Sequence, residues 1–289
     1  GGDQVVALAH TTPARGVVLT PVTNFAVRDR GHGTLSAVNS SVGVWRKLEA
    51  IRARPQVALA YHTRKHGFTD RPELVLVQGR ATVLPPDPDL PRTMGEQWDR
   101  YGGDTDFGRP MEWLQRAWLR RSVVEIAVER VVVWPDLAGR GEPEAHGAPL
   151  PSAPPSQSEP RNGTAPRVDH HRAARRARRL PHVLLGWVGA DGLPMVAPVE
   201  VGEARADGIE LTGPLPPGGR RAGLCAHDFA RFTYGQEQRR HTGWLADGVY
   251  APHTATGYRL PESRLLFHLA GGVMTRRGIR GAPAHLREP

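Results

Sequence analysis

Glu73-Leu74-Val75-Leu76-Val77-Gln78-Gly79-Arg80-Ala81-Thr82-Val83 reads as a strand, and its spacing returns later in the chain: Glu73 to Gly79 is matched by Glu237 to Gly243. The order around it returns too. Upstream stand Thr20-Pro21-Val22, a turn from Asp29 to Gly33, Leu35-Ser36-Ala37-Val38, then Lys47, a short basic helix and Arg54-Pro55. In the later part a hairpin at Ala190-Asp191-Gly192 precedes Ala197-Pro198-Val199, a turn at Ala206-Asp207-Gly208, and Ile209-Glu210-Leu211-Thr212. Basic Arg220-Arg221 and an expected short helix then lead to His227-Asp228-Phe229 and the Glu237–Gly243 run. A small β-domain written twice implies two packed barrels with a ligand site between them.

The chain has 289 residues, enough for two domains of roughly 100–150 each. No run approaches the roughly 20 apolar residues that span a bilayer. Gly1-Gly2-Asp3-Gln4 leads directly into Val5-Val6-Ala7-Leu8, without a secretory pattern. The lone Cys225 excludes an internal disulfide and any multi-cysteine metal site. The expectation is a cytoplasmic protein with no membrane partner. Net charge is +9, which favours anionic partners. The densest cluster, Arg172, Arg175, Arg176, Arg178 and Arg179, alternates with alanines and reads as the solvated face of a short helix. It lacks interleaved aromatics, so nucleic acid is disfavoured as a partner.

The fold class expected is mainly β with a few helices: two tandem small β-barrels within one chain, which the resemblance given below implies to be split β-barrels forming a pseudo-dimer. The first domain spans 1–137, with strands over 4–11, 17–27, 34–38, 57–61, 73–84 and 122–134. Its helix over 44–53 is stopped by Pro55, because the residue before proline leaves the α region. Further helices are expected over 92–101 and 110–120. Residues 138–168 form a Pro/Ser-rich linker, too polar to bury a core. The second domain, 169–289, has strands near 182–189, 194–202, 208–213 and 231–245. A closing helix from Glu262 to Arg277 is expected to turn Leu265, Leu266, Leu269 and Met274 inward. Many short strands with few helices favour a small barrel over a doubly wound sheet.

Lys47 stands near a helix start, after a loop with Asn39, Ser40, Ser41 and Gly43. Small hydroxyl residues, exposed N–H groups and a lysine together can cradle a phosphate. Residue type alone favours a surface lysine. The order Thr20-Pro21-Val22, Leu35-Ser36, Lys47 through Leu59, then Val77-Gln78-Gly79-Arg80-Ala81-Thr82-Val83 resembles the pyridoxamine 5′-phosphate oxidase-like family of flavin and deazaflavin split β-barrels. The resemblance covers about residues 4–134, and a degenerate copy covers about 170–275.

The resemblance implies that Lys47, Ser40 and Ser41 contact the cofactor phosphate. Thr20, Pro21 and Val22 would line the isoalloxazine, and Gln78 would lie near the ring or ribityl chain. Arg221 would stand where Lys47 stands in the first copy, with Phe229 replacing the proline. The second barrel would then serve as partner wall, through residues 224–243, for one cofactor per chain. The function implied is an oxidoreductase using FMN or a deazaflavin coenzyme for hydride transfer to a small-molecule substrate. The alternative is a flavin- or haem-binding split barrel without turnover. The chain would act as a monomeric pseudo-dimer or as a homodimer. His62, Lys65 and His66 read as a solvated hairpin tip. His170-His171, and Cys225 with His227 and His241, are weaker zinc or haem candidates, and no metal site is assigned.

Overall fold

A computed structural model describes residues 2–87, 89–90, 94–96, 99–100 and 121–284, and the backbone alone at 26 and 37–42. The first half runs β1 (Val5–Thr11), β2 (Val17–Asp29), β3 (Thr34–Ser41), a 3-10 turn (Val42–Val44), α1 (Trp45–Ala53), β4 (Gln56–Tyr61), β5 (Leu74–Asp87), β6 (Arg121–Trp134) and β7 (Glu144–Gly147). Its antiparallel sheet has the order β3-β2-β1-β4-β5-β6-β7, and β3 also pairs with β6. That extra pairing closes six strands into a barrel and leaves β7 as a flap on β6.

The second half runs α2 (His170–Ala177), β8 (His182–Val188), β9 (Pro194–Pro198), β10 (Glu200–Arg205), β11 (Gly208–Thr212), β12 (Arg220–Asp228), β13 (Glu237–Ala246), β14 (Val249–Arg259) and α3 (Arg264–Arg280). Its sheet order is β10-β11-β14-β13-β12-β8-β9. Only Val199 separates β9 from β10, so these two are one broken strand. Counted as one, they close a second barrel with the connectivity of the first: β8 matches β1, β9–β10 match β2, and β11 to β14 match β3 to β6.

Register confirms the repeat residue by residue. Thr20 and Pro21 pair with Leu8 and Ala7, and Ala197 and Pro198 pair with Leu185 and Leu184. The β5–β6 ladder bulges between Gln78 and Gly79, and the β13–β14 ladder bulges between Thr242 and Gly243. At each bulge the glycine is required by close approach. A β-carbon on Gly79 would strike the Ala127 carbonyl oxygen, and one on Gly243 the Ala251 carbonyl oxygen. The repeated interval is the trace of one bulge made twice.

All seven residues of β1 are buried, because the strand serves two cores. One face fills the first barrel, where Leu8, Leu59, Val124 and Ile126 are capped by Leu48 and Ile51 of α1. The other joins a seam in which Ala7, Ala9, Leu19, Ala58 and Leu76 meet Leu184, Val196 and Cys225 of the second barrel. Each large apolar side chain buried there stabilises the docked state by about 1.5–3 kcal/mol. A polar clamp flanks the seam. Arg130, 2% exposed, donates to Gln78 Oε1 (2.7 Å), the Pro149 carbonyl (2.5 Å) and Asp191 Oδ2 (2.7 Å). Gln78 in turn donates to the Pro194 carbonyl at 2.6 Å.

Several expectations are corrected. The stretch after Arg220-Arg221 is strand β12, since Ala222, Leu224 and Ala226 alternate with Gly223 and Cys225 between two cores. The strand expected over 231–245 begins at Glu237, and Arg231–Thr233 forms a 3-10 turn. The closing helix buries Phe267, His268, Gly271, Gly272 and Thr275, while Leu265, Leu266 and Met274 are exposed. Small residues face inward there because the helix lies directly on the Val42–Val44 turn, where a β-carbon on Gly43 would sit 2.8 Å from Thr275 Cα. Asn39, Ser40 and Ser41 belong to β3 rather than to a loop. β7 falls inside the expected linker. The expected helix over 110–120, and half of that over 92–101, lie outside the described residues. The arginine-rich helix is α2, with Ala173, Ala174 and Ala177 buried.

Gly79→Ala and Gly243→Ala should each lower unfolding stability by about 1–3 kcal/mol, the usual cost of forcing atoms into filled space. Denaturant titration checks this, and an unchanged midpoint for either variant would show that its bulge is not constrained.

Candidate functional site

A group of cations gathers where the second barrel meets the α1 end of the first. Lys47 projects from α1, two positions after Trp45 opens the helix. Arg121 opens β6, in register with Ser41 at the end of β3. Arg240 comes from β13 and donates through Nη1 to Thr20 Oγ1 on β2 at 3.2 Å. Arg54, just past α1, donates to the Thr11 carbonyl at 3.2 Å. His10, on β1, lies within the influence of Lys47, Arg240 and Arg54.

Charge here is unbalanced. Among the described residues no carboxylate forms an ion pair with Lys47, Arg54 or Arg240. Burial, and then the charges of Arg240 and Arg121, lower the Lys47 amine to about 7. Burial, and then Lys47, Arg240 and Arg54, lower His10 to about 3, so its ring is neutral. Burial lowers Arg121 to about 10, and it remains charged at neutral pH. Arg240 Nε and His10 Nδ1 are buried with no hydrogen-bond partner among the described residues. Desolvated donors such as Lys47 and Arg240, with no carboxylate paired to them among the described residues, are the inverse image of an anion rich in acceptor oxygens.

The sequence-expected residues divide into two groups. Lys47, Thr20 and the β3 end carrying Ser40 and Ser41 converge on this cluster. Pro21 and Val22 follow Thr20 on β2, and Val22 faces the first barrel's core. Gln78 lies instead in the Arg130 clamp. Arg221 sits on β12 opposite Trp244, so its counterpart in the first barrel is Gln56, which pairs with Arg80. The counterpart of the Lys47 helix is the proline-rich stretch 213–219, and Phe229 follows β12. Sequence reasoning passed over Arg240, Arg121 and His10. Arg239-Arg240 inside an otherwise strand-like run was the available signal.

A second cluster lies elsewhere on the seam. His62 and His227 are counterparts, each five residues beyond the strand partner of a bulge glycine, Val57 and Ala222 respectively. Their Nε2 atoms approach to 2.8 Å. His62 Nδ1 donates to the Ala60 carbonyl at 3.0 Å, which leaves its Nε2 to accept from His227. His182 completes a triangle with ring centroids 5.8 Å from His62 and 5.2 Å from His227. His62 is thus buried rather than solvated, while Lys65 reaches Asp228 at 2.5 Å on the rim. Cys225 and His241 do not converge with His227: Cys225 joins the seam core, and His241 faces α2 alongside Arg172 and Arg176. Among the described residues no group of three or more His, Cys, Asp or Glu is arranged to hold a metal ion.

No protein-family model matches the chain, and no curated protein matches it. Solved structures are similar to it. A pyridoxamine 5′-phosphate oxidase-related, FMN-binding protein from Nostoc punctiforme shares 13% identity, with 50% of this chain and 87% of that one covered at a TM-score of 0.33. A FAD-binding protein from Mesorhizobium loti shares 22%, covering 45% and 83% at 0.29. A haem-binding protein from Mycobacterium smegmatis shares 13%, covering 96% and 93% at 0.30. The chain folds as two tandem split β-barrels. At such identities and scores its own residues have to carry any functional reading. No helix among the described residues is long and apolar enough to cross a membrane.

The histidine triangle sets a pH dependence. Burial lowers all three rings, His182 to about 4 and His227 well below the usual value. The unfolded chain takes up these protons near pH 6.5 and the folded chain only at lower pH. Stability should therefore be full above about 6.5 and fall as the pH drops towards 4, with His182 alone accounting for about 2 kcal/mol at pH 5. Melting temperatures of the protein and of a His62→Gln/His227→Gln variant should converge as the pH falls from 7 to 5. Parallel slopes would exclude these rings as the cause.

Proposed function

We propose that the chain binds a flavin-type coenzyme, FMN or a deazaflavin, by its phosphate at the Lys47–Arg121–Arg240 cluster, and uses it as an oxidoreductase. The observation that carries this reading is that Lys47 and Arg240, one from each barrel, meet with no carboxylate paired to either among the described residues. Lys47 and Arg121 come from the first barrel and Arg240 from the second, so an anion there is held by both. Such a coenzyme supplies hydride transfer.

The chain's own residues supply the holding and the orientation. Lys47 offers a compact charge and Arg240 a fork whose direction is fixed by Thr20. His10, neutral and buried, adds a polar ring atom without adding charge. The backbone of β2 at Thr20-Pro21-Val22 and the face of β12–β13 around Cys225 and Arg240 would flank the ring and keep water from it. On this reading one coenzyme binds per chain, because proline-rich 213–219 replaces the Lys47 helix in the second barrel. The absorbance spectrum of the purified protein separates the candidates: flavin and deazaflavin bands support the reading, and a haem Soret band opposes it.

Lys47→Ala should weaken FMN binding by about 1.5–3 kcal/mol, the range for a charge-assisted hydrogen bond. Affinity should also depend on pH. The free Lys47 amine titrates at about 7, and a bound phosphate raises that value, so binding takes up a proton above neutrality. The dissociation constant should rise from pH 7 to 9 in the protein and stay level in Lys47→Arg, whose side chain is always charged. Calorimetric titration measures both, and identical profiles would remove Lys47 from the site.

A further inference from the structure

A cavity of about 640 Å3 opens where three segments meet: the β1–β2 turn at Thr12–Gly16, the connecting stretch at Pro160–Arg167, and the bulged region of β12, β13 and β14. Three arginines line it, Arg161, Arg167 and Arg221, and no carboxylate does. Two of the three are held by carbonyls. Arg221 Nη1 donates to the Ser158 carbonyl at 3.1 Å, and Arg167 Nη2 to the Gly163 carbonyl at 3.0 Å. Arg221 also lies 5.8 Å from the Trp244 ring centre. Fixed guanidinium groups lose little freedom on meeting a ligand.

The remaining lining defines the ligand further. Pro13, Val17 and Ala222 give an apolar wall. Thr242 and Thr254 place two hydroxyls 2.7 Å apart at the rim of the bulge. His253 stays neutral, since burial and then Arg167 and Arg221 lower its ring, so it adds no charge. The volume falls within the roughly 300–1,000 Å3 typical of small-molecule sites. None of these residues belongs to the Lys47–Arg240 cluster.

We propose that this cavity is a second site, which binds a small organic dianion with a compact apolar body, through Arg161, Arg167 and Arg221. A phosphate ester and an aromatic dicarboxylate share that chemistry. The cavity is walled by both barrels and by the segment joining them, so its occupant would tie that segment to both. The proposal does not depend on flavin binding at Lys47.

Calorimetric titration with phenyl phosphate and, separately, phthalate tests it on the whole chain. Either probe should saturate one site per chain that persists in Lys47→Ala, and the tighter of the two at that site identifies the anion class. Arg161→Ala/Arg167→Ala should weaken the tighter probe by roughly tenfold or more, the loss expected for charge-assisted contacts. Lys47→Ala should leave its binding unchanged, which separates this site from the phosphate cluster. An unchanged melting temperature in the double variant shows that any loss is not a loss of fold. Absence of binding by both probes, insensitivity to the double variant, or loss in Lys47→Ala would each overturn the proposal.

Discussion

Everything at the candidate site depends on the apolar seam between the barrels. Neither half carries the cation cluster alone: Lys47, Arg121 and His10 belong to the first barrel and Arg240 to the second. Small residues on β1 and β4, chiefly Ala7, Ala9, Ala58 and Ala60, let the strands of the two barrels approach closely. That approach sets β2 beside β12 and β13 and brings Arg240 onto Thr20. The Arg130 clamp and the His62–His227 pair then fix the two barrels with directional bonds that an apolar surface lacks.

The same seam makes the charge costly. Cations brought together where water is largely excluded repel one another, and the depressed Lys47 and His10 values record burial first and then that repulsion. Proteins retain such arrangements where a ligand offsets them. The contrast with Arg130 is instructive. That arginine is buried as well, yet it has Asp191, Gln78 and the Pro149 carbonyl as partners. It is a structural cation. Lys47 and Arg240 have no comparable anion among the described residues.

Much of the architecture was legible because its signals are local. The Gly79 and Gly243 bulges repeat at one spacing, and Pro55 ends α1 where the chain must turn into β4. The second barrel was harder to read. Val199 breaks one strand into β9 and β10, and β12 carries alanines and a glycine in place of β-branched residues, so it resembled a helix. The inward face of α3 was misread because hydrophobicity is a poor guide where a helix must lie against backbone and only small residues fit. At the site, Lys47 was legible from its place after β3. Arg240 and Arg121 were not, since their meeting is set by barrel docking, and no spacing within one copy encodes it.

Comparing FMN with riboflavin tests the central claim most directly, because the two differ only in the phosphate. Calorimetry on the whole protein should give one site per chain and an affinity for FMN higher by roughly a hundredfold or more, about 2.7 kcal/mol. Equal affinities for the two would contradict the account, since the cluster between the barrels would then contribute nothing to coenzyme binding.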